Sequence, residues 1–270
     1  MNMPNQQESP IAPSSTLLSS PVSVSLSGGL PGARDLFRAA YKILAQKPKL
    51  FFGIALLSVL ATVIFAAVLA GLAAFMLYRG QMFSDFPFFS LSAIPTFLIL
   101  SAFVLANLIF QLWANVALIC AVKDRNEQFG VKSAFRQAWP KLASFAWVSV
   151  LTGLCILGGM LLLVVPGIIF SVWLAFSAYV FIDEGLKGRQ ALKRSKQLVK
   201  GRAGKILWRL LFLGLFYLLV ILLLSLLSAI LKSPRIETVG NWLIQFAFTP
   251  FSAVYGYLLY ESAKQTQPAN

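Results

Sequence analysis

The sequence predicts an all-α, polytopic membrane protein with six transmembrane helices and basic amphipathic interfacial helices. Three observations predict it. Of the 270 residues 58% are hydrophobic and only 12% charged, at a mean hydropathy of +0.78, too apolar for an ordinary soluble domain. Long uncharged runs recur, and one of them, residues 144–182, extends over 39 positions. Segments rich in Lys and Arg stand before the first, third and fifth of these runs.

Residues 1–31 are rich in Ser, Pro, Asn and Gln, with Glu8 as the one charge, and have neither a signal-peptide pattern nor enough apolar content to fold; a disordered cytoplasmic tail is expected. Residues 32–261 form the expected six-helix membrane domain, and residues 262–270 a short cytoplasmic tail. The domain opens on an amphipathic segment, residues 32–49, with Leu36, Ala40, Ile43 and Leu44 on one side and Arg34, Arg38 and Lys42 on another, closed by Pro48. Residues 50–78 are the first span, with Ala66, Ala70 and Ala74 as a small-residue packing seam. Residues 79–90 read as an aromatic interfacial loop.

The second span, residues 91–122, carries a polar stripe: Asn107, Gln111 and Asn115 recur every four residues and so share one helical face. Amides within a bilayer bond to another helix or line a hydrated path, and Gln245 of the last span is a candidate partner. A second basic connection, residues 123–142, places Val131, Phe135, Ala138 and Leu142 in helical register for a surface helix.

The 39 uncharged residues that follow approach two crossings of a hydrocarbon core of roughly 30 Å. They are expected to form a hairpin turning at Pro166 and Gly167, because proline ends a helix and glycine tolerates unusual backbone angles. Asp183 and Glu184 then lead into a basic foot, residues 186–205, in which Lys193, Arg194, Lys196, Lys200, Arg202 and Lys205 are candidate contacts for anionic lipid. The same charges also fix topology. Residues 210–231 make a fifth span, with Lys205 and Arg209 expected to snorkel at its start. Residues 232–237 read as a loop and residues 238–260 as a sixth span kinked at Pro250, with Thr249 and Ser252 available to the freed backbone groups.

Lys and Arg number 5, 5, 9 and 1 in the segments on one side of these spans and 1, none and 2 on the other, which places both termini in the cytoplasm. The segments before spans one, three and five look alike: Phe37-Arg38-Ala39-Ala40-Tyr41, Phe135-Arg136-Gln137-Ala138-Trp139 and Leu192-Lys193-Arg194-Ser195-Lys196. Three units of surface helix plus hairpin are expected.

Several function classes are disfavoured. The chain has no histidine, which removes imidazole acid–base chemistry, His-based nucleophile pairs and imidazole metal sites. Cys120 and Cys155 lie in apolar runs and offer no disulfide framework or C-x-x-C motif. The net charge of +14 lies beside membrane spans with no nucleic-acid module, so no nucleic-acid partner is expected. No catalytic residue, metal site or cofactor is expected, and the acids Asp183 and Glu184 read as local charge balance.

Gln111-Leu112-Trp113-Ala114, the stretch from Leu161 through Pro166-Gly167 to Phe170, Asp183-Glu184-Gly185, Ala191-Leu192-Lys193-Arg194-Ser195 and Val199-Lys200-Gly201-Arg202 resemble a bacterial six-span membrane family, largely uncharacterised. That family is similar to the membrane domain fused to some glycerophosphodiester phosphodiesterases. The resemblance covers residues 32–260 and implies the fold and an inner-membrane location; the phosphodiesterase activity belongs to a separate soluble barrel and does not carry over. A non-catalytic protein that organises anionic lipid, or a membrane or envelope protein partner, is the leading expectation. A passive transporter or lipid-translocating protein is the alternative, since no span has an ionised residue near its centre.

Overall fold

A computed structural model describes residues 30–82, 93–124 and 130–266. The expected N-terminal tail up to residue 29, most of the aromatic loop and the last four residues lie outside them. The described residues form helices without a strand: α1 Ala33–Gln46, α2 Pro48–Met82, α3 Ala93–Lys123, α4 Val131–Ala138, α5 Leu142–Leu162, α6 Val164–Trp173, α7 Ser177–Glu184, α8 Arg189–Val199, α9 Ala203–Ile230 and α10 Pro234–Gln265. A 3₁₀ turn, Trp139–Lys141, joins α4 to α5. Six stretches are long and apolar enough to cross a membrane, α6 and α7 together counting as one, so the fold is all-α and multi-pass. The amphipathic reading holds for α1, α4 and α8, which bury Leu36, Ala40, Ile43 and Leu44; Ala134, Phe135 and Ala138; and Ala191, Ser195, Leu198 and Val199.

Several expected boundaries move. The central hairpin turns at Leu163, which is fully extended at φ −170° and ψ 153°, and not at Pro166 and Gly167, which lie inside the first turn of α6. Proline is tolerated there because first-turn N–H groups have no intrahelical acceptor, while its ring would clash with the Leu162 carbonyl if α5 ran on. Gly167 serves close approach instead: a Cβ on it would lie 3.0 Å from the Met160 backbone nitrogen, and one on Gly159 3.1 Å from the Gly167 Cα. Likewise Pro234 opens α10 rather than sitting in a loop. The basic foot is not one helix, since Gly201 at φ +79° reverses the chain after α8 and leaves Lys205 in α9. Arg209 does not snorkel. It is buried, donating to the carbonyls of Pro31 at 2.8 Å, Leu30 at 2.9 Å and Lys205 at 2.7 Å.

The expected three units are present: α1 with the hairpin α2–α3, α4 with α5–α6–α7, and α8 with α9–α10. Their packing is cyclic. The surface helix of each unit lies on the second arm of the preceding unit, α4 on α3, α8 on α6 and α7, and α1 on α10. The first arms follow the same rule, α5 against α3, α9 against α6 and α2 against α10. Because α1 and α2 close onto α10, the chain forms a ring with three-fold internal pseudosymmetry.

Equivalent residues occupy equivalent environments. Leu36, Ala134 and Ala191, and four residues later Ala40, Ala138 and Ser195, are each no more than 1% exposed. In the second arms Phe110 and Trp113, Phe170 and Trp173, and Phe248 and Phe251 pair within their helices, with ring centroids 6.1, 5.7 and 6.4 Å apart. Phe135 meets Trp113 at 4.9 Å as Phe37 meets Phe251 at 4.6 Å. From these aromatics the arms align without a gap, burying Val116, Phe176 and Val254, then Cys120, Val180 and Leu258.

Unit two departs from its siblings. Its second arm breaks between Trp173 and Ser177, where Ser195 donates to the Trp173 carbonyl at 2.7 Å and accepts from the Phe176 N–H at 3.2 Å. Ala40 and Ala138 stand at the equivalent place beside unbroken helices. Its hairpin arms are also shorter, 21 residues each, against 35 and 31 in unit one and 28 and 32 in unit three. The hairpin tip is wholly aliphatic and exposed, from Leu161 at 88% to Val165 at 67%. Burial in hydrocarbon removes that surface from water.

Candidate intramembrane site

The cyclic register aligns one row of each second arm. Asn107, Gly167 and Gln245 are equivalent; so are Gln111, Ser171 and Thr249, then Asn115, Ala175 and Ala253, then Ile119, Tyr179 and Tyr257. The polar stripe read from α3 and the amide read from α10 therefore belong to one repeated pattern. Two cavities, each of about 490 Å³, open between the helices. The first is lined by Ser58, Thr62, Asn107, Gln111, Asn115, Gln245 and Thr249 among apolar residues of α2, α3 and α10. The second is lined by residues that include Asn115, Tyr179, Tyr217, Gln245 and Thr249. Asn115, Gln245 and Thr249 line both, so the two cavities meet.

The amides do different things. Gln111 joins α3 to α2: its Oε1 accepts from the Ser58 hydroxyl at 2.8 Å, and its Nε2 donates to the Thr62 hydroxyl at 2.6 Å and the Ser58 carbonyl at 3.3 Å. Asn115 donates one hydrogen bond to the Gln111 carbonyl at 2.8 Å, leaving its side-chain oxygen open among the described residues. Among the described residues Gln245 does not bond to the stripe on α3; its Oε1 accepts from the Tyr217 hydroxyl at 3.0 Å, and its amide N–H groups stay open. Asn107 makes no hydrogen bond among the described residues. Thr249 donates to the Gln245 carbonyl and Ser252 to the Thr249 carbonyl, so α10 continues through Pro250 with both hydroxyls turned onto its own backbone.

Below the cavities aromatic rings pack across the axis. Tyr179, Tyr257 and Tyr260 form an aromatic floor, with ring centroids 6.0 to 6.2 Å apart. Beneath it Asp183 and Glu184, each 17% exposed in the side chain, tie the three units together. Lys123 of unit one reaches Asp183 at 3.3 Å, Lys264 of unit three reaches Asp183 at 2.6 Å, and Arg194 reaches Glu184 at 3.1 Å. The Tyr260 hydroxyl lies 2.9 Å from Asp183 and 3.0 Å from Glu184. Charge balance at these acids, read from sequence, thus becomes a specific tie among units.

Comparisons with protein-family models, curated proteins and solved structures found no match. The site is described by its own chemistry.

The six basic residues expected to touch lipid divide into two groups. Arg194 is held by Glu184, Lys196 lies 4.2 Å from the centre of the Trp173 ring, and Arg202 donates to Thr266 and Ala263. Lys193, Lys200 and Lys205 are exposed. Among the described residues no group of three or more Cys, Asp or Glu side chains is placed to hold a metal ion. Sequence reasoning missed Ser58, Thr62, Thr249 and Tyr217 as members of the site. The Phe-x-x-Trp or Phe-x-x-Phe spacing at residues 110, 170 and 248 was the signal that would have aligned the second arms and placed Thr249 beside Gln111.

Proposed function

We propose that the chain is a non-catalytic integral protein of the bacterial cytoplasmic membrane, with both termini in the cytoplasm, that organises lipid at the anionic leaflet. The observation that carries this reading is α8: one face is buried on unit two, while Lys193 and Lys200 face outwards, joined by Lys205 at the start of α9. Each such cation near an anionic surface contributes about 1 kcal/mol of attraction. The asymmetry of Lys and Arg supports the orientation, and chain continuity sets α1, α4 and α8 at the end where α3 and α10 finish. The family resemblance supports the bacterial inner membrane as the location.

The test is mass spectrometry of lipids retained by the full chain in native lipid discs. Replacing Lys193, Lys200 and Lys205 by Gln is expected to reduce enrichment of anionic lipid while Arg194 and Arg202, which hold internal bonds, stay in place. Equal enrichment rejects the reading. A specific membrane or envelope protein retained instead would point to an accessory-subunit role.

The intramembrane cavities favour a second reading, passive lipid translocation. A path lined by neutral amides and hydroxyls would carry a polar head past hydrocarbon without an ionised group.

A further inference from the structure

The joined cavities have four properties that together limit what they take. They contain open polar groups. Asn107 is unbonded among the described residues, Asn115 offers an acceptor and Gln245 offers donors, all lining the same space within membrane-spanning helices. Amides left open at that depth are costly, and a ligand or water must meet them.

Their described lining holds no ionised side chain. No Lys, Arg, Asp or Glu is among the described residues lining either cavity. A phosphate brought there would be a buried anion without a cation. Hydroxyl groups, by contrast, both donate and accept, and so fit an acceptor and donors presented side by side.

They lack one wall. The pseudosymmetric ring places a second arm of each unit round the axis, yet among the described residues none of α6 lines either cavity. The row that should face the axis in unit two has only Gly167, Ser171 and Ala175, and Gly167 is packed against Met160 of α5. From Asp183 to the tip at Leu163 the shorter hairpin extends roughly 30 Å at about 1.5 Å per residue. The opposite run on α10, from Lys264 to Arg235, extends roughly 44 Å by the same measure. The missing wall leaves that side facing hydrocarbon, and the shorter hairpin lowers the rim of the bundle beyond the cavities on the same side.

Aromatic rings and ion pairs pack at the other end. The tyrosine floor and the tie at Asp183 and Glu184 lie between them and the charged end of the bundle. A soluble solute coming from that end meets these packed and ion-paired side chains, whereas the side without an α6 wall is the one turned towards lipid.

We propose that these cavities form a lateral binding site for the uncharged, hydroxyl-bearing head of a membrane lipid, of the diacylglycerol class, with Asn107, Asn115 and Gln245 as the residues that meet the hydroxyl. This inference rests on the lipid-handling reading above and names the chemistry its intramembrane site accepts. Binding is separable from translocation, because the head can enter and leave through the same opening.

The experiment uses the full chain in lipid discs with a diacylglycerol bearing a photoreactive diazirine close to the glycerol. Parallel discs hold phosphatidic acid or phosphatidylethanolamine with the same chains and the same diazirine. Diacylglycerol is expected to label peptides of α3 and α10 around Asn107, Asn115 and Gln245, and the two phosphate-bearing probes to label them at least about fivefold less, the factor that one hydrogen bond supplies. Asn107→Leu, which removes no internal bond, and Gln245→Leu are each expected to lower that labelling by about fivefold.

Equal labelling by all three probes, labelling confined to outer faces, or labelling unchanged in both variants overturns the proposal. A dithionite assay of fluorescent lipid exchange between leaflets, run on the same discs' protein in vesicles, addresses translocation separately. Site labelling without exchange keeps the site and rejects translocation, while exchange of a phospholipid without site labelling rejects the site and keeps translocation.

Discussion

The second arms of units one and three are single helices of 31 and 32 residues, whereas that of unit two is broken at residues 174–176 and has only 21. The shared features, a Phe and an aromatic one turn apart, buried small or aliphatic residues and a surface helix laid across from the next unit, define the ring. What differs is chemically specific. Units one and three contribute amides to the cavities; unit two contributes only the Tyr179 ring to their described lining and, lower down, the acids that bind the other two units. Pseudosymmetry supplies a scaffold, and its breakage in one unit supplies both the side opening and the tie at the base.

The largest expected effect comes from removing that tie. Asp183→Ala leaves Lys123 and Lys264 close together without the carboxylate between them and strips the Tyr260 hydroxyl of one acceptor. A loss of about 2 to 3 kcal/mol in stability is expected, read by thermal unfolding in detergent micelles. Combining it with Lys264→Ala should recover part of the loss, with a coupling above about 0.5 kcal/mol. Strictly additive effects would mean that the acids of unit two do not join the units.

Next is the break itself. Ser195→Ala leaves the Phe176 N–H and the Trp173 carbonyl without their bridging hydroxyl in a buried place, and about 1.5 kcal/mol of destabilisation is expected. Hydrogen exchange at the Phe176 amide should quicken at the same time. Ala138→Ser, the reciprocal change beside unbroken α3, should bring no gain in stability. Were both substitutions to behave alike, the serine would have no special relation to the broken arm.

Much of this fold is legible in the amino-acid sequence, for reasons that the three units make plain. Uncharged length marks the spans, and a helical period of 3.6 residues places Leu36, Ala40 and Ile43, or Asn107, Gln111 and Asn115, on common faces whatever packs against them. The break at residues 174–176 is not legible, because Leu174, Ala175 and Phe176 include neither Gly nor Pro and the hydroxyl that bonds it is about twenty residues away in sequence. The turn at Leu163 is hidden by the stronger signal of Pro166, which ends α5 at a distance of one helical turn. Arg209 beside an apolar run suggests snorkelling, and only the position of Leu30 and Pro31 in the folded chain supplies the carbonyls that let it stay buried.

The smallest expected effect separates two amides on one face of α3. Gln111 bonds to Ser58 and Thr62 of α2, so Gln111→Leu should cost about 1 kcal/mol, the usual contribution of a hydrogen bond between membrane helices. Asn107 lines the same cavity one turn away and has no bond to lose among the described residues, so Asn107→Leu should change stability by less than about 0.5 kcal/mol. A larger loss at Asn107 than at Gln111 would mean that its amide holds helices together. The expected order instead assigns the pair two duties: Gln111 fastens the wall of the cavity, and Asn107, equivalent to Gln245 across the ring, is left to face what enters it.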